Sequence, residues 1–192
     1  MSNYVVWRWG RVPGGCSVVE LMNVPRVFAL KKGEARGEAF PSDAAFRMDP
    51  DAKRDTVLVD NIPNVEAMLL CSERLKQFIE SRRPPAIEYL PVTVQDHKKK
   101  PVPPTHFVVL PLDPPDCIDL AGSVVTRWTV DSTALMSIEK LVLDESKIPA
   151  DRLIFKPKGY TLATLVRRDL AAEIDAQGFT GIAWKEVADF VS

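Results

Sequence analysis

Nine of the 16 prolines fall between Pro84 and Pro115, and this clustering restricts the fold more than any other feature of the chain. Proline fixes φ and has no N–H to donate, so such a window excludes a long helix and interrupts any central strand. Short strands at "AIEYL" and "THFVVL" fit between the breaks, while "HKKKPVPP" and "LDPPD" read as exposed turns. The window predicts a hairpin or meander with stiff, proline-rich loops.

Outside it the patterns are more regular. In "YVVWRWG", Trp7 and Trp9 alternate with Arg8, the period of a strand with one buried face. "GEARGEAFPSDAAFRMDPDAKRD" is polar and punctuated, which predicts a long loop before a strand at "TVLVD". Leu75, Phe78 and Ile79 share one face of a helix in "CSERLKQFIESRR". "GSVVTRWTV" places Val124, Thr126, Trp128 and Val130 on one side of a strand, and "IEKLVLD" and "DRLIF" are two further strand candidates. Val166, Leu170 and Ile174 recur every four residues and mark a second helix. Gly178 supplies the left-handed residue that ends it, with Phe179 placed to pack on Ile174. A last strand follows in "TGIAWKEV", with Ile182 and Trp184 on one buried face; Trp184→Ala is expected to cost about 3–5 kcal/mol there.

Leu70, Leu75, Ile79, Ile87 and Tyr89 correspond, 95 residues on, to Leu165, Leu170, Ile174, Ile182 and Trp184. That echo is a match of apolar period, which two unrelated amphipathic helices also share. Together these elements make an α+β fold with a mixed or antiparallel sheet and two principal helices. Residues 1–64 form an N-terminal strand and loop region and residues 65–192 an α+β domain, the two making one compact unit.

Charge and cysteine usage narrow the class of function. Lys and Arg number 25 against 26 Asp and Glu, so no net field draws the molecule to nucleic acid or an anionic membrane. Cys16, Cys71 and Cys117 are few, odd in number and far apart, as in a reduced cytoplasmic protein. The N-terminus lacks a basic segment followed by an apolar run, and no stretch approaches the roughly 20 apolar residues of a membrane helix.

Few residues offer catalytic chemistry. Cys16 is a possible nucleophile if His97 or His106 lies near enough to take its proton. Asp113, Asp116 and Asp119 are spaced by three and supply carboxylates for a hard cation, although the intervening prolines favour a polar turn. No phosphate loop, nucleophile elbow, metalloprotease helix or paired-cysteine motif occurs. The Lys98–Lys100 run is the most basic stretch and reads as a solvated loop tip.

From Leu70 to Val187, the order of "LLCSERLKQFIE", "IEYLPVTV", "HFVVLPLDPPDCIDL", "IEKLVLDESKIPADRLIFKPKG" and "TLATLVRRDLAAEIDAQGFTGIAWKEV" resembles the eleventh immunity family of bacterial polymorphic toxin systems. The resemblance implies a protein that protects its own cell by binding a toxin encoded nearby, with no catalytic residue, cofactor or metal. The loops between residues 91 and 115, with Lys98, Lys99, Lys100, Asp113 and Asp116, are the candidate contact region, because stiffened loops lose little entropy on binding. A small metal-dependent hydrolase or nuclease and a regulatory module with another ligand are the alternatives.

Overall fold

The computed structural model describes residues 1–129 and 133–192. In chain order the elements are β1 (Tyr4–Trp9), β2 (Val18–Met22), α1 (Val27–Lys31), β3 (Ala45–Met48), β4 (Leu69–Ser72), α2 (Glu73–Ser81), β5 (Ile87–Gln95), β6 (Pro101–Pro111), β7 (Val124–Arg127), β8 (Leu135–Lys140), β9 (Ile154–Phe155), β10 (Thr164–Arg167), α3 (Arg168–Ala176) and β11 (Ile182–Glu186). They form a four-stranded sheet β11-β1-β10-β9, a five-stranded sheet β2-β3-β5-β6-β4 and the hairpin β7-β8. All pairings are antiparallel except β3 with β5. The fold is α+β with mixed sheets, and α2 and α3 are its principal helices.

The echo at 95 residues is structural. Adding 95 to the bounds of β4 and α2 gives the bounds of β10 and α3, and β11 begins 95 residues after β5. In the first unit β6 lies between β4 and β5; in the second β1 lies between β10 and β11. The registers agree as well. Val108 pairs with Leu70 and Leu90, and Val6 pairs with their counterparts Leu165 and Lys185. The left-handed residues Arg83 and Ala86 recur as Gly178 and Gly181. Residues 1–64 therefore contribute the central strand of the second unit through β1, and β2 and β3 to the first unit's sheet.

One core joins the two units. Leu75 and Ile79 of α2 meet Leu170 and Ile174 of α3 there, with Cys71, Val109, Trp7 and Val166 from the sheets around them. Alternate strand residues turn to outer cores, Leu70 and Val108 on the first unit and Leu165 and Val6 on the second. This explains why β1 is buried on both faces from Tyr4 to Trp7.

Several expectations are corrected by this arrangement. The segment from Pro91 to Pro111 is the expected hairpin, but its two strands are long and carry the prolines themselves, leaving only a short turn between them. Pro101 and Pro111 are the ends of β6, and Pro103 and Pro104 fall in the bulge between the Val94–Val102 and Val92–His106 pairs, where ladder donors are not required. Pro91 precedes Thr93, the point at which β3 joins the other side of β5. The expected loop before "TVLVD" contains β3, and "TVLVD" makes only an isolated bridge from Val57 to Gly15.

Val166 belongs to β10, so α3 starts later than its apolar period suggested; β10 and α3 bury their residues in the same core. Trp9 is exposed because β1 outruns the cover on that face, and Val124 and Trp128 are exposed while Val125 packs inward. Val130 lies outside the described residues. β11 is an edge strand of half-buried residues, not a fully buried one, and the chain continues to Phe190, which closes the second outer core. Trp184 stacks edge-on against Trp7 at 5.0 Å and donates from Nε1 to Asp175 at 2.7 Å.

Candidate interaction surface

Lys98, Lys99 and Lys100 occupy the turn between β5 and β6, where the Asp96 carboxylate accepts from the N–H groups of Lys98 and Lys100. All three lysines are exposed. Asp113 and Asp116 lie beyond the other end of β6 and are also exposed. The two groups are separated by the eleven residues of β6, roughly 35 Å at the usual strand rise. The fold does not bring them into one patch.

Asp119 accepts from the N–H groups of Ala121 and Gly122 and shapes a turn. Among the described residues no group of three or more His, Cys, Asp and Glu side chains is placed to hold a metal ion.

The nucleophile candidates are dispersed too. Cys16 lines a cavity of about 220 Å³ between Gly10 and Pro63 that contains neither histidine, and burial pushes its thiol up to about 11. His106 is buried in β6, where desolvation pulls its pKa down. His97 sits in the β5–β6 turn beside the lysines.

A cleft that no local pattern announces lies elsewhere. It has a volume of about 300 Å³ and is walled by Phe28 and Lys32 after β2, Pro114 after β6, Trp128 after β7, and Lys156 and Lys158 after β9. Phe28 is 63% and Trp128 52% exposed, high values for residues of this size. Lys32 Nζ lies 4.9 Å above the Phe28 ring, and Lys31, which also lines the cleft, pairs with Glu66 at 2.6 Å.

Lys156 is 5% exposed, and its Nζ donates to the carbonyls of Ala67 at 2.9 Å and Thr161 at 2.8 Å. Burial, with a smaller push from Lys31, lowers its pKa to about 8. Asp116 reaches Lys158 at 3.8 Å, so the Asp113–Asp116 loop borders this cleft.

A second, shallower groove adjoins it. Trp9 and Leu162, 41% and 49% exposed, line it with Met68 and Ala67. The Lys156 ammonium bonds to Ala67 and to Thr161, the neighbours of both grooves, and so fixes the ridge between them. The sequence signals were weak because residues 28–33, 111–114, 128–135 and 156–161 meet only through the tertiary fold.

The model of the Immunity protein family (Imm11) matches residues 3–189, nearly the whole chain. The chain belongs to the Imm11 immunity protein family. The match reaches well beyond the Leu70–Val187 stretch that carried the resemblance, consistent with β1 being the central strand of the second unit. No curated protein matches the chain. Phe28 and Trp128 in the first groove and Trp9 and Leu162 in the second are among the large apolar side chains that the fold leaves exposed. Among the described residues of this Imm11 protein no helix is long and apolar enough to cross a membrane.

Proposed function

We propose that this protein neutralises a cognate toxin by binding it and blocking access to its active surface, without chemistry of its own. It acts in the cytoplasm of the producing cell, on a toxin encoded nearby. The observation that carries the reading is the exposure of Phe28 and Trp128 at one groove and of Trp9 and Leu162 at a second, the two bridged by the Lys156 hydrogen bonds. Large aromatic side chains dominate the energetics of protein interfaces, and a stable complex buries about 1,200–2,000 Å², so the two grooves form the centre of a contact that extends over the surrounding surface.

Membership of an immunity family supports the partner class. The burial of Cys16 and His106 supports a non-catalytic role. Asp113 and Asp116 form a polar rim beside the first groove, and Lys98, Lys99 and Lys100 are a separate, remote contact candidate; rim charges adjust encounter rate and partner choice.

Calorimetry with the toxin domain encoded beside this gene tests the reading. Phe28→Ala combined with Trp128→Ala is expected to weaken binding by about 2 kcal/mol or more. Deleting Lys98–Lys100, or reversing Asp113 and Asp116, is expected to change mainly the association rate. A toxin that binds the double variant as it binds the native protein removes the grooves from the interface; no binding by any neighbouring toxin domain removes the function.

A further inference from the structure

We propose that the Phe28–Trp128 cleft receives a carboxylate side chain, an Asp or Glu within an apolar segment of the toxin, with Lys156 as its buried cation. This rests on the toxin-binding reading and names the chemistry of the contact.

The cleft is electrostatically one-sided. Lys31, Lys32, Lys156 and Lys158 line it, and among the described residues no carboxylate does. Lys31 is matched by Glu66, and Lys158 is loosely matched at the rim by Asp116 at 3.8 Å. Among the described residues Lys156 has only the two backbone carbonyls of Ala67 and Thr161. An ammonium carries three N–H donors, so those two leave one to spare.

A charge taken out of water without an opposite charge is costly, and an incoming carboxylate offsets that cost. The size also fits a side chain: about 300 Å³ accommodates one acidic residue and part of its apolar neighbours, held between the Phe28 and Trp128 rings. Lysine-lined walls with aromatic lips exclude a basic segment by the same reasoning.

The arrangement has a spectroscopic signature. Burial holds the Lys156 amine at about 8 in the free protein, and a carboxylate beside it raises that midpoint because it favours the charged form.

The test uses the full chain labelled for NMR at lysine side chains, with two probes: the toxin domain encoded beside the gene, and a blocked Leu-Asp-Phe tripeptide with its Leu-Asn-Phe counterpart. The acidic tripeptide and the toxin are expected to raise the Lys156 midpoint, and the Asn tripeptide to leave it in place. Lys156→Met is expected to weaken toxin binding by about tenfold or more. Lys32→Glu and Lys158→Glu, exposed positions that leave the fold intact, are expected to weaken it in the same direction, with Lys53→Glu as a remote control.

An unmoved Lys156 midpoint with both acidic probes overturns the proposal, as does an equal shift from the Asp and Asn tripeptides. Undiminished toxin affinity in all three cleft variants overturns it while leaving toxin binding in place. If the acidic tripeptide shifts Lys156 and no toxin binds, the carboxylate site stands and the toxin reading falls.

Discussion

In the first unit α2 begins at Ser72, whose hydroxyl accepts from the Leu75 N–H at 3.2 Å; in the second, α3 begins at Arg167, which caps nothing and pairs instead with Asp169 at 2.8 Å. The helix of the first unit ends on a left-handed Arg83, that of the second on a left-handed Gly178. The turn into the next strand passes through Ala86 in one and Gly181 in the other. The backbone path is shared down to strand register, so it does not depend on a particular cap or turn residue. What it depends on is the apolar set: Leu75 and Ile79 in one unit, Leu170 and Ile174 in the other, all buried in one core. Local chemistry adjusts stability by about 1 kcal/mol at the two helix ends, whereas the shared core sets the architecture.

The pairs of corresponding residues offer direct ways to break the comparison. The largest effect is expected at Gly181, where a Cβ would stand 2.5 Å from the Asn61 carbonyl oxygen and 2.9 Å from Val59. Gly181→Ala should lose about 2–4 kcal/mol in urea unfolding, although its counterpart Ala86 holds a Cβ in a similar left-handed conformation.

Next is Trp184→Ala, expected to cost about 2–3 kcal/mol, below the range for a fully buried aromatic because β11 is an edge strand. Its counterpart Tyr89 has a buried hydroxyl with no partner among the described residues, so Tyr89→Phe should leave stability unchanged or raise it.

A third test concerns the staple between the units. Asp60 accepts from Ser72 and Arg74 of the first unit and from the N–H and hydroxyl of Thr180 in the second. Burial works against its ionised form, but the hydrogen bonds from Arg74, Thr180 and Ser72 outweigh burial and hold the carboxyl at about 2, below its ordinary 3.8. A carboxylate with a depressed folded pKa stabilises above its unfolded pKa, and that contribution is lost as pH falls through the folded value. Allowing for solvent screening, about 1–2 kcal/mol should disappear between about pH 4 and pH 2. Acid titration of the unfolding free energy checks this, and Asp60→Asn should flatten it.

Smaller still, Ser72→Ala should cost about 1 kcal/mol as a lost cap. At the far end of the same helix, Arg83→Gly should stabilise by about 0.5–1 kcal/mol by relieving the left-handed backbone. A Gly178-like gain at Arg83 would sharpen the equivalence of the two helix ends, and a loss would break it.

The helices were legible in the sequence because their information is local. The i, i+4 spacing of Leu75 with Ile79 and of Leu170 with Ile174 specifies a face, and Gly178 specifies an end. Strand edges and covered faces were not. Trp7 and Trp9 sit two residues apart in one strand, yet one is buried and the other exposed; the difference lies in what packs over each. The prolines of β6 limited the expected strand to "THFVVL", because a residue's own chemistry says nothing of whether its N–H would face a partner or a bulge. Of the candidate contact residues, Lys98–Lys100 and Asp113–Asp116 are near in sequence but are held apart by β6. The cleft residues, from Phe28 to Lys158, are distant in sequence and meet in space.

By itself, then, the sequence determined the α+β class and the two helices with their buried faces, which follow from short-range apolar spacing, and left the 95-residue echo as a match of apolar period alone. Only the tertiary structure decided that β1 completes the second unit, that β11 lies at an edge, and that four lysines and two aromatic rings enclose one cleft. Those outcomes depend on pairings between segments more than 100 residues apart, such as Trp7 with Trp184. Their stability comes from burying complementary faces together, a property that neither segment carries alone.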